Sequence, residues 1–73
     1  MEKLFTTTIS KAGQSIKYDV HFENERYLFV PNEGSGKFGI KREEDEWHPD
    51  SDLDNDVREA AIKALDEYLL SQH

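Results

Sequence analysis

A chain of 73 residues is one domain or a fragment of one, with no room for a second, and 36% apolar, 34% charged and 11% aromatic residues exclude a disordered tail. No stretch approaches the ~20 apolar residues of a membrane helix, no signal-like segment opens the chain, and cysteine is absent, so the protein reads as soluble, cytoplasmic and free of disulfides, thiol chemistry and cofactors. Residues 1 to 42 carry seven Lys/Arg against five Asp/Glu and residues 43 to 73 two against eleven, a division that repels phosphate backbones and anionic lipid, leaving no nucleic acid and no membrane among the expected partners.

Leu4 to Ile9 is rich in β-branched and aromatic residues and reads as a strand, followed by a turn at Lys11-Ala12-Gly13. From Ser15 to Glu23 the alternation is strict. Ile16, Tyr18, Val20 and Phe22 point one way and Lys17, Asp19, His21 and Glu23 the other, as in a half-buried strand. Asn24-Glu25 has the length of a two-residue hairpin, and Arg26 to Val30 returns as a third strand. Leu28 and Val30 alternate there with Tyr27 and Phe29, so both faces of this strand are apolar.

Pro31 to Gly36 interrupts the ladder as a loop, because Pro lacks a donor and Gly packs nothing. Lys37 to Glu43 alternates around Phe38 and Ile40 as strand four, which Glu46-Trp47-His48 extends or follows as a short fifth. From Ser51 or Asp54 to Gln72 the period becomes 3.6, with Val57, Ala61, Ala64, Leu65, Tyr68 and Leu69 on one stripe of a helix. The predicted fold is α+β: a four-stranded antiparallel meander with one C-terminal helix packed on one face (ββββα). Ile16, Tyr18, Val20, Phe22, part of Tyr27 to Val30, Phe38, Ile40 and the helical stripe supply its candidate core.

Four motifs invite chemistry. Gly34-Ser35-Gly36-Lys37 resembles a phosphate loop, but Pro31 and Phe38 stand where that pattern needs Gly and Ser or Thr, and a strand follows instead of a helix. The aromatics around Lys37-Phe38-Gly39-Ile40 could stack on RNA bases, yet all the strands precede the helix and the net charge of −7 opposes it. Asp50 to Asp56 alternates carboxylates like a calcium loop, but Asn55 and Ala61 occupy the positions of the required Gly and Glu. Helix capping explains the run better, with Ser51 and Asp54 as a capping box and Asp52 or Asp54 as alternative caps. His21, with Asp19 and Lys17, is the one set that could do acid-base work; its simpler reading is an exposed sheet histidine. The lone Trp47, in Trp47-His48-Pro49, is either a plug at one end of the core or an interface anchor.

Tyr27 to Pro31 (Tyr-Leu-Phe-Val-Pro) and the helix Glu59 to Leu70 are loosely similar to HicB-like antitoxins, in which a strand ending in Pro precedes a Glu-Ala helix ending in a Tyr-Leu pair. The similarity spans under a third of the chain and departs in order, since another strand, a Trp and an acidic run intervene. It implies an antitoxin-type regulator and transfers no functional residue.

Without a convergent catalytic set, the expected function is that of a small acidic, non-enzymatic protein-interaction module. Its candidate surface is Leu28 and Val30 on the open sheet face, or Trp47 with Glu44, Asp45 and Glu46 in the acidic segment. The expected partner is a protein, basic if charge selects it. A small-ligand or enzymatic domain around His21 is the alternative. Some of Leu28, Val30, Phe5 and Ile9 should stay exposed in a monomer, and the expected state is a monomer or a weak homodimer joined through the sheet face or an edge strand.

Overall fold

In a computed structural model, which describes residues 3–33 and 36–72, the alternating segments form β1 (Lys3–Lys11), β2 (Gln14–Glu23), β3 (Arg26–Pro31), β4 (Phe38–Glu43) and β5 (Glu46–Pro49). The 3.6-period segment forms α1 (Asn55–Leu70). Each strand pairs antiparallel with its sequence neighbour, giving the sheet order β1-β2-β3-β4-β5. The α+β meander with a C-terminal helix is therefore the fold, with five strands where four were expected. Glu46 to Pro49 turns back on β4 because Glu44 and Asp45 close a two-residue hairpin.

Three of the four strand-to-strand connections are two-residue turns, and both central residues have positive φ in each: Ala12 and Gly13, Asn24 and Glu25, Glu44 and Asp45. This is the type I′ pattern, whose twist matches that of paired strands. Only one of these six residues is Gly. The left-handed region costs an ordinary side chain about 1 kcal/mol, so the turns are held by the ladders they join. Of the Gly34 to Lys37 motif, Gly34 and Ser35 lie outside the described residues.

Register places Ile9, Ile16, Tyr18, Val20, Phe29, Phe38 and Ile40 on one face, and α1 lays Val57, Ala61 and Leu65 onto it. Phe29 is fully buried, stacked on Phe38 at 4.8 Å, while Tyr18 meets both rings edge-on at 6.2 and 5.5 Å. Ile9, expected among the residues left open, is buried because it pairs with Ile16 on the helix-covered face. Phe22, expected in the core, is 49% exposed. It pairs with Tyr27 in the last apolar row of β2, at the margin of the core.

Burial pushes the Tyr18 hydroxyl above the ordinary tyrosine value of 10.0. In the unfolded chain this phenol ionises first, so the folded state holds more protons and loses stability as pH rises from the unfolded toward the folded value. Urea midpoints should fall above about pH 10 in the native protein, and this limb should flatten in Tyr18→Phe. An alkaline limb unchanged by the substitution would refute the assignment.

The helix begins after Asp54, whose carbonyl accepts the Arg58 N–H at 2.9 Å. The capping box expected from Ser51 and Asp54 does not form: Ser51 precedes the N-cap by three residues, and the Asp54 side chain makes no capping hydrogen bond. Arg58 instead donates to Asn55 Oδ1 at 2.9 Å. Among the described residues no helix is long and apolar enough to cross a membrane.

Candidate interaction surface

The face opposite α1 carries Lys17, Asp19, His21, Arg26, Leu28, Val30, Gly39, Lys41, His48 and Asp50 by strand parity and register. Leu28, expected exposed here, is only 5% exposed, whereas Val30 is half-buried. The cause is lateral. Leu28 lies in register between His21 and Gly39, and the Arg26 side chain reaches across β4 above Gly39 to pair with Asp50. A methyl group at Gly39 would stand 2.7 Å from Asp50 Oδ2 and 3.2 Å from Arg26 Cδ, so this crossing needs glycine's missing side chain.

Asp50 extends the β4–β5 ladder by one residue after β5 has ended at Pro49. Its N–H donates to the Gly39 carbonyl at 2.9 Å, and its carboxylate accepts the Gly39 N–H at 3.1 Å in place of a backbone oxygen. The expectation of Asp50 as part of a capping run gives way to this role. Because the Arg26–Asp50 pair is more than a third exposed, solvent screens it, and Arg26→Met, which removes the charge but keeps an aliphatic chain beside Leu28, should cost less than about 1 kcal/mol. Asp50→Ala strands the Gly39 N–H and should cost about 1–2 kcal/mol. Equal losses of urea stability in the two variants would refute this division.

Lys17, Asp19 and His21 share this face but do not converge on a cavity. Asp19 accepts a hydrogen bond from Thr6 Oγ1 at 3.1 Å. Lys17 lines a shallow concavity with Gln14, Ser15, Ile16, Asn32 and Glu33 that includes neither Asp19 nor His21. His21 is half-buried, contrary to the exposed position expected, because it flanks Leu28 in the next strand. Among the described residues no three His, Asp or Glu side chains gather as metal ligands.

Trp47 lies on the other face, with α1, so the structure separates it from Leu28 and Val30. It is half-buried, meets Tyr27 edge-on at 5.7 Å, and donates its indole N–H to Asp66 Oδ1 of α1 at 3.3 Å. Arg42 lies over the ring, 4.9 Å from its centroid, and reaches Asp45 at 3.8 Å. Phe22 packs on Tyr27 at 5.0 Å, so Phe22, Tyr27 and Trp47 form one aromatic row across the end of the sheet.

Beside this row opens a groove of about 580 Å³ lined by Arg42, Asp66, Leu69, Leu70 and Gln72. Leu70 is 72% exposed at its wall. Glu44, Asp45 and Glu46, all exposed, occupy the β4–β5 turn that carries Arg42 and Trp47. Sequence reasoning found Trp47 and its acidic neighbours; it missed Phe22, Leu70 and Arg42. Phe22 continues an apolar alternation whose inner members are buried, so periodicity alone assigns it inward, whereas Leu70 falls off the buried helical stripe and gave no signal of its own. Compared with protein-family models, curated proteins and solved structures, the chain matches none.

Proposed function

We propose that this protein is a non-enzymatic protein-interaction module whose contact surface is the groove between α1 and the β4–β5 hairpin. The observation that carries this reading is a groove walled by Leu69 and the exposed Leu70, at the Trp47 end of an aromatic row that runs through Tyr27 to the exposed Phe22, in a domain whose other large apolar side chains are mostly buried. Aromatic side chains fixed by their neighbours make good anchors, because little side-chain entropy is lost on contact. Within the groove Asp66 is balanced by Arg42, and the exposed Glu44-Asp45-Glu46 turn beside it gives the surface an acidic rim. The partner that fits is a protein segment with Lys or Arg next to an apolar side chain, which carries opposite charge to the rim.

Selection from a random peptide library tests this directly. The expected hits place a basic residue beside Leu, Phe or Trp, shift the Trp47 indole resonance on binding, and lose about ten-fold or more in affinity against Phe22→Ser or Leu70→Ser. Both substitutions fall on well-exposed side chains, so the fold should survive them. Failure to enrich any sequence, or hits that bind both variants unchanged, would overturn the proposal.

A further inference from the structure

The two edges of the sheet are unlike. β5 is four residues long, ends in Pro49 and runs on into the Asp50 crossing, so it offers little backbone to another chain. β1 is nine residues long, contains no Pro, and has its one irregularity between Lys3 and Phe5. Among the described residues nothing hydrogen-bonds its outer side, so from Phe5 to Lys11 the ladder groups that point away from β2 lack a protein partner. Open edges of this length are usually shortened, charged or covered.

The sequence of β1 is close to symmetric about Thr7. Phe5 and Ile9 lie two residues to either side on the helix-bearing face, and Thr6 and Thr8 flank it on the other. We infer that β1 is a homodimer edge: a second copy pairs antiparallel through β1, with Thr7 on the two-fold axis. Phe5 of one protomer then falls in register with Ile9 of the other, which α1 already covers, and the exposed Thr6 stands opposite the exposed Thr8 twice, so the backbone ladder and the threonine rows make the contact. A heterologous strand would satisfy the backbone equally well but has no reason to repeat this order.

The helix agrees with the same axis. Tyr68 stacks on Phe5 of β1 at 4.7 Å, while Asp66 turns to Trp47 at the far edge. Ala60 and Ala64 continue the Tyr68 flank at four-residue spacing, so α1 presents small side chains toward β1. An axis normal to the sheet puts both helices on one face, and small residues at that flank permit close approach. A ladder of this length buries less than the roughly 800 Å² per partner of a standard interface, so the dimer is weak. Each chain brings a charge of −7, so salt tightens it. This edge is distinct from the proposed peptide groove, and either can fail without the other.

Charge placement at the Thr6–Thr8 rows reads the register. In the native protein, sedimentation velocity should show a monomer–dimer equilibrium in the high-micromolar range that shifts to dimer as salt rises. Thr6→Lys with Thr8→Glu in one chain makes two complementary rows per dimer and should tighten association about ten-fold at low salt; Thr6→Lys with Thr8→Lys makes two like-charged rows and should abolish it. Thermal unfolding at low protein concentration confirms that each variant folds. A native protein that stays monomeric into the millimolar range would overturn the inference, as would a dimer indifferent to both double variants.

Discussion

Phe29→Ala should leave the chain largely unfolded at room temperature. Phe29 is fully buried at the centre of β3, stacked on Phe38 and met edge-on by Tyr18, so its loss opens a cavity between the sheet and α1. Truncating a buried Phe costs about 3–5 kcal/mol. A core one layer deep in a domain of this size sustains about the same amount in total. Phe22→Ala is the control: at 49% exposure and at the margin of the core, it should cost less than about 1 kcal/mol. Far-UV circular dichroism with amide resonance dispersion reads both. A Phe29→Ala protein that keeps native dispersion would show that the Phe29 cluster is not the centre of the fold.

Trp47→Ala is the second large effect expected, about 2–3 kcal/mol, below the range for a fully buried Trp because this one is half-buried. Three contacts disappear together: the edge of Tyr27, the indole hydrogen bond to Asp66 and the Arg42 cation over the ring. Of these three, the hydrogen bond is the one made to α1. Trp47→Phe keeps a ring against Tyr27 but gives up the donor, and should cost about 1 kcal/mol. Urea unfolding followed at the amides measures both. If the two substitutions cost the same, the stabilisation lies in the hydrogen bond and not in ring packing, and Trp47 is a tether rather than a plug.

Alternation made β2 legible as a strand, because Ile16, Tyr18 and Val20 recur at period two, although which sheet face α1 covers was left open and Phe22, next in the same alternation, is exposed. The helix was legible for the same reason at period 3.6. β5 was only partly so: four residues are too few for a period, and Glu44-Asp45 lacks the glycine by which type I′ turns are usually recognised. Leu28 shows a further limit of pattern reading. On the face without a helix it is buried although no element covers it, in register between His21 and a glycine that Arg26 crosses, and such neighbours are set by register between strands. Trp47 was legible as one of two alternatives. The structure makes it partly both, half-buried between Tyr27 and Arg42 beside an open groove.

The meander has a kinetic consequence. Every strand–strand contact joins sequence neighbours through short turns, and such local closures form within microseconds. The packing of α1 against β1 is different, because it brings one end of the described chain back to the other. Until that long loop closes, Phe5 and Ile9 have no cover, and hairpins formed earlier gain little from one another. The docking step should therefore limit the folding rate, and β1 and α1 should order together, as one late event, with strengthened β2–β3 contacts speeding folding less than strengthened β1–α1 contacts.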